Sequence, residues 1–208
     1  MIPVRAGVLA LQGDYAAHCA ALREAGADAF EARSLADIES ADVFVLPGGE
    51  STVMGSLLLR FGLMDALKAR IRGGMPVFGT CAGLILLAQH MEGRPQPGIG
   101  LLDVTVRRNA YGTQVDSFRA PVEMAVPGLP VLEGVFIRAP KIVSVGPGVE
   151  VLGRLGGDRQ GDNSPGDYNQ SGDPVLVRSG TILGATFHPE LLAGAALHRW
   201  FLGFFSAR

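Results

Sequence analysis

Cysteine is scarce in this chain: there are two, Cys19 and Cys81, among 208 residues. That is too few for a disulfide-stapled secreted scaffold and too few for a four-thiolate zinc site. The four histidines, His18, His90, His188 and His198, show no metal-ligand spacing with them. Basic runs are missing as well. With 18 Lys and Arg against 20 Asp and Glu, and a net charge of −2, the chain has no Lys/Arg stripe of the kind that binds nucleic acid. No apolar stretch reaches the roughly 18 residues of a membrane span. The first residues do not combine a charged n-region, a long apolar h-region and a small-residue cleavage site. These absences set the expectation of a cytoplasmic protein that engages neither nucleic acid nor membrane.

What the chain does have is glycine, 29 residues of it, and a hydrophobic share of 48%. The first implies many tight turns, the second a sizeable core. Apolar runs over 4–11, 28–32, 42–46 and 75–78 read as short buried strands. They alternate with helical patterns over 15–25, 51–59 and 63–71. Short strands alternating with helices predict a three-layer αβα sandwich around a mostly parallel sheet. Beyond residue 100 the pattern changes. Strand candidates at 102–107, 121–125, 135–138, 149–155 and 174–177 are separated by Gly and Pro, and predict antiparallel additions to that sheet. The polar, Gly-rich stretch 156–173 reads as a long exposed hairpin loop, 181–187 as a last strand and 194–205 as a last helix. No linker or repeat interrupts the chain, so 1–208 is expected to form one domain.

In parallel α/β sheets, ligands bind beyond the carboxyl ends of the strands. Three segments fall there. The first is Gly79-Thr80-Cys81-Ala82-Gly83, between Met75-Pro76-Val77-Phe78 and Leu84-Ile85-Leu86-Leu87-Ala88. A strand, a sharp turn with Cys at its apex between two glycines, and a helix form a nucleophile elbow with sulfur in place of oxygen. A helix N-terminus beside the sulfur favours the thiolate, which is the reactive form. The competing reading of Cys81 is a buried free thiol.

The second is Pro47-Gly48-Gly49-Glu50-Ser51-Thr52, which leads into a helix. Its glycines let backbone N–H groups face an oxyanion or a substrate carboxylate. It is not a phosphate loop, since no Lys follows, and it could equally be an ordinary turn with Ser51 as N-cap. The third is Gln12-Gly13, where the first strand ends.

The last strand runs into Phe187-His188-Pro189-Glu190. In an extended segment, residues two apart share a side. His188 and Glu190 can then meet, the carboxylate fixing the imidazole tautomer and turning its other nitrogen to a nucleophile. With Cys81 this supplies nucleophile, base and orienter. Arg108-Asn109-Ala110-Tyr111-Gly112 and Phe136-Ile137-Arg138-Ala139-Pro140 each offer an Arg that could grip a carboxylate or simply sit at a solvated edge. Cys19 reads as core, His18 is open, and His90, His198 and Trp200 read as helix-face or packing residues.

Together these segments resemble the triad-type (class I) glutamine amidotransferases. More narrowly they resemble the glutaminase subunits of pyridoxal 5′-phosphate synthase. The resemblance spans nearly the whole chain. It rests on Gly7-Val8-Leu9-Ala10-Leu11-Gln12-Gly13, on the Gly-Gly-Glu-Ser-Thr segment and on the Cys81 elbow. Arg108-Asn109-Ala110-Tyr111-Gly112, Phe136-Ile137-Arg138-Ala139-Pro140 and Phe187-His188-Pro189-Glu190-Leu191 complete it.

The resemblance implies that Cys81 attacks the glutamine amide while His188, oriented by Glu190, moves protons. It implies that Gly49, Glu50, Ser51, Arg108, Ile137 and Arg138 line the glutamine site. Backbone N–H groups near Gly48 and from Ala82 would form the oxyanion hole, which Gln12 and Gly13 would adjust when a partner docks. That partner would be a (β/α)8-barrel synthase subunit consuming the ammonia, and no cofactor or metal would be needed here. The chain departs from the family pattern at Leu192-Ala193-Gly194, where a more polar stretch is usual, and in the length of the 156–173 loop. Three other readings stand beside this one: a different amidotransferase of the same class, a Cys hydrolase or peptidase on a related fold, and a non-catalytic module. Ammonia release from glutamine separates the second, and loss of activity in Cys81→Ala the third.

Overall fold

The structure, a computed structural model, describes residues 3–108, 117–126, 129, 131–157 and 172–206. It begins with β1 (Arg5–Leu9), α1 (Tyr15–Glu24), β2 (Asp28–Ala32), α2 (Leu35–Ser40) and β3 (Val43–Leu46). Next come α3 (Ser51–Arg60), α4 (Met64–Arg72), β4 (Val77–Thr80), α5 (Ala82–Leu87) and β5 (Ala88–Glu92). The second half holds β6 (Leu102–Arg107), β7 (Ser117–Met124), β8 (Leu132–Ile137), β9 (Lys141–Val145), β10 (Glu150–Leu155), β11 (Pro174–Ser179) and β12 (Ile182–Ala185). A 3-10 turn (Pro189–Leu191) and α6 (Ala196–Ser206) close the chain.

Among the described residues, nine strands form the main sheet in the order β2-β1-β3-β4-β12-β11-β10-β7-β8. The first five are parallel and the rest antiparallel. Strand side chains alternate between faces, and β3 makes this concrete. Val43 and Val45 pack with Cys19 and Leu22 of α1 and with Leu197 and Phe201 of α6. Phe44 and Leu46 point the other way, among Met54, Leu58, Leu67 and Leu84 of α3, α4 and α5. The result is the three-layer αβα architecture expected from the pattern. A smaller sheet, β5-β6-β9, packs on the second face through Leu102, Val104, Val106 and Ile142.

Several local expectations are corrected. Helix α2 was not anticipated. Ser34 caps it by accepting from the Asp37 N–H, while the Asp37 carboxylate accepts from the Ser34 N–H, a complete capping box. Helix α5 stops at Leu87, because Ala88 turns extended (ψ 135) and opens β5. His90 therefore lies on a strand and not on a helix face. Strand β9 was also unread. The expected hairpin loop lies outside the described residues over 158–171, as do Asn109, Ala110, Tyr111 and Gly112. No described helix is long and apolar enough to cross a membrane.

Candidate active site

Cys81 follows β4 directly. Its backbone sits at φ 48, ψ −102, a conformation L-residues avoid. Such strain costs about 1–3 kcal/mol and persists only where the surroundings impose it. Here the Cys81 N–H donates to the Ala185 carbonyl at the end of β12 (2.8 Å), and its own carbonyl accepts from the Ile85 N–H of α5 (3.2 Å). The sulfur reaches toward the Ile137 carbonyl at the end of β8, 3.9 Å away.

His188 arrives three residues past β12. Its N–H donates to the Val135 carbonyl of β8 (2.9 Å). Its ring Nδ1 lies 2.7 Å from Glu190 Oε1, whose side chain is fully buried. The two side chains meet as expected, but not through an extended segment. Pro189 starts a 3-10 turn, and the tightened backbone folds the carboxylate under the ring. Burial by itself would lower the His188 pKa. Bonding and charge interaction with Cys81 and Glu190 outweigh it and push the value up to about 10. The site therefore favours the protonated His188 ring.

The Gly48–Glu50 turn forms the opposite wall. The His188 ring turns its Cε1 edge to Gly48, where a Cβ would come within 2.3 Å of that atom. Gly13, at φ 98, approaches from β1, and a Cβ there would overlap the Gly48 carbonyl. That carbonyl accepts from the Asp14 N–H (3.1 Å), and the Gln12 side-chain oxygen accepts from the Glu50 N–H (2.7 Å). The loop after β1 thus fixes the peptide planes of the glycine turn. Glu50, and not Ser51, caps α3 by accepting from the Thr52 N–H (3.2 Å). Ser51 is already helical, and its hydroxyl donates to the Gln96 side-chain oxygen (3.1 Å).

Arg108, just past β6, donates to the same Gln96 oxygen (2.6 Å) and to Thr52 Oγ1 (2.9 Å), and lies 3.4 Å from Glu50 Oε1. Gln96 was missed by sequence reasoning. It sits in Arg94-Pro95-Gln96-Pro97, which carries no chemical signature. Arg138 follows β8 in the left-handed region (φ 42).

Gln12, Gly13, Gly48, Gly49, Glu50, Ser51, Cys81, Arg108, Ile137, Arg138 and His188 all border one cavity of about 270 Å³. Of the expected site residues, Glu190 stands behind the His188 ring and Ala82 is buried at the start of α5; neither lines it. Among the described residues, no group of three or more His, Cys, Asp or Glu is placed to hold a metal ion.

A family model described as the SNO glutamine amidotransferase family matches residues 8–206. The chain is 51% identical to the pyridoxal 5′-phosphate synthase subunit PdxT of Parafrankia sp. (strain EAN1pec), over 95% of this chain and 91% of that protein. It is 47% identical to the protein of the same name from Acidothermus cellulolyticus (strain ATCC 43068 / DSM 8971 / 11B), over 98% and 95%. A crystal structure described as a glutamine amidotransferase superposes with a TM-score of 0.83 at 44% identity, covering 95% of this chain and 97% of that one.

Proposed function

The chain belongs to the SNO glutamine amidotransferase family, and we propose that it hydrolyses L-glutamine to glutamate and ammonia through a Cys81–His188–Glu190 triad. The observation that carries this reading is the His188 ring, bonded to Glu190 at 2.7 Å and bordering, together with Cys81, one cavity sized for a small amino acid.

The Cys81 thiolate adds to the side-chain amide carbon of glutamine. The carbonyl oxygen takes the negative charge and is met by backbone N–H groups of the Gly48–Gly49 turn and of Ala82, whose N–H has no partner within its own helix. His188, carrying its proton, gives it to the amide nitrogen as the C–N bond breaks, and ammonia leaves a thioester on Cys81. The now neutral His188 takes a proton from water, whose oxygen attacks the thioester. Glutamate departs and the thiolate–imidazolium pair is restored. Glu190 keeps the imidazole in the tautomer that both steps require. Arg108 and Arg138 present guanidinium groups for the α-carboxylate, with Glu50 available for the α-ammonium. Gly49, Ser51 and Ile137 complete the walls.

The same resemblance supports a protein partner, a (β/α)8-barrel synthase subunit that uses the ammonia to make pyridoxal 5′-phosphate. Gln12 and Gly13 hold the glycine turn, so contact near them is a route by which docking adjusts the oxyanion donors. One such donor is worth about a hundred- to a thousandfold in rate. The test is ammonia and glutamate release from glutamine, measured with and without that synthase subunit. Release that rises on adding the subunit and vanishes in Cys81→Ala supports the reading. No ammonia in either condition, or full activity in Cys81→Ala, overturns it. Equal rates with and without the subunit overturn the activation step.

A further inference from the structure

Behind Glu190 stand two more imidazoles to which the proposed chemistry gives no task. His18, on α1, is fully buried. Its Nε2 is 3.3 Å from Glu190 Oε2 and 3.0 Å from Thr80 Oγ1, on the residue before the nucleophile. Its Nδ1 is 2.9 Å from Nε2 of His198, buried on α6. Glu190 Oε1 already faces His188. Each oxygen of this buried carboxylate therefore looks at a different imidazole. Among the described residues, Glu190 Oε2 and His198 Nδ1 have no well-formed hydrogen bond.

The placement of protons follows from this geometry. Burial drives the pKa of His18 well below its ordinary value, helped by His198 and His188, and lowers His198 to about 4. Both rings are neutral near pH 7, each with one N–H. In one arrangement His18 Nε2–H donates to Thr80 Oγ1 and lies 3.3 Å from Glu190 Oε2, and His198 Nε2–H donates to His18 Nδ1. The bare atom is then a lone pair on His198 Nδ1, the position left unpartnered. The reverse arrangement aims a lone pair at a carboxylate and buries an N–H with nothing to receive it, which is the costlier defect. The first arrangement wins.

We propose that His18 is a positioning residue for hydrolysis: its Nε2–H edge, oriented by His198 and bonded to Thr80 Oγ1, backs the second oxygen of Glu190 at 3.3 Å, and Glu190 so backed keeps the His188 ring turned toward Cys81. The role rests on the glutaminase reading above. It also ties the nucleophile's own strand into the set, because Thr80 shares the same nitrogen. The groups facing His18 are Thr80 from β4, Glu190 from the 3-10 turn, His188 before it and His198 from α6.

Two measurements test this. Nitrogen-15 NMR of histidine-labelled wild-type protein reads the tautomers directly. Neutral His18 protonated on Nε2 supports the proposal, and protonation on Nδ1 overturns it, whether or not any variant folds. Kinetics with the synthase subunit then compare His18→Leu, which loses the donor, with His18→Gln, whose amide N–H can replace it. In His18→Leu, kcat is expected to fall about tenfold, the scale of one net hydrogen bond. KM should stay within about twofold, since no substrate contact is lost. The acidic limb of the kcat profile should move to higher pH, because the charged site loses a donor, and His18→Gln should recover most of the loss. A folded His18→Leu with wild-type kcat and pH profile, or a His18→Gln as impaired as His18→Leu, overturns the positioning role. A wild type that releases no ammonia overturns the glutaminase reading itself.

Discussion

Gly48 has no room for a methyl group, because the His188 ring already occupies the space, 2.3 Å from where Cβ would sit. Gly48→Ala must therefore push the imidazole off line with the sulfur. A displacement of about 1 Å at a reacting group can cost about a hundredfold. A fall of that size in kcat is expected in the glutaminase assay, with the melting temperature little changed. Arg108 makes a different prediction. Its guanidinium is held by Gln96 and Thr52 and faces the cavity, so Arg108→Gln should raise KM for glutamine about ten- to a hundredfold and leave kcat nearly intact. At this scale the sequence was legible where chemistry leaves a local mark: a Cys between glycines, a His two residues before a Glu. It was silent on Gln96 and His18. Their neighbours come from distant segments, Arg108 for the one, Glu190 and His198 for the other, and nothing beside them in the chain announces it.

Elements were readable in proportion to their length and periodicity. The boundaries of β2 and β6 matched the expectation, and α1, α3 and α4 came within a residue or two. Helix α2 did not stand out, because six residues span under two turns and leave little periodicity to see. Its signal was the capping box Ser34-Leu35-Ala36-Asp37, a local motif that periodicity does not register. Ser34→Ala should accordingly lower stability by about 1 kcal/mol in denaturant unfolding, with ammonia release unaffected, since α2 touches no part of the cavity. Strand β5 was hidden by composition. Leu-Leu-Ala continues the apolar run of α5, and only the extended turn at Ala88 separates them. The approach of His188 to Glu190 was foreseen on the wrong backbone, since an i, i+2 pair also meets when Pro189 tightens the chain into a 3-10 turn.

Across the whole molecule, the buried histidines set opposing pH limits on stability. His18 and His198 are neutral when folded and bind protons below about 6.5 once unfolded. The unfolded chain thus holds more protons below that pH. Their contribution is complete above 6.5 and declines as pH falls, by about 1.4 kcal/mol per pH unit for each group. For His198 the decline ends near pH 4. His188 has the reverse sign. The fold retains its proton up to about pH 10, so its contribution is complete below 6.5 and drains as pH rises from there to about 10. Melting temperature plotted against pH should peak near neutrality. His198→Phe should flatten the acidic side, and Cys81→Ala, which removes one partner holding the His188 proton, the alkaline side. A wild-type curve flat from pH 4 to 10 would contradict both assignments. The αβα layering was legible because strand alternation and helix spacing are written locally. Strand order was not, and it matters most at β8. Among the described residues that strand pairs in the sheet only with β7, yet its Val135 carbonyl holds the His188 backbone and its Ile137 carbonyl meets the Cys81 sulfur. Those two carbonyls are one pleat apart, so a single strand works as a ruler laid between the Cys81 sulfur and His188, and a twist anywhere along it recalibrates both at once.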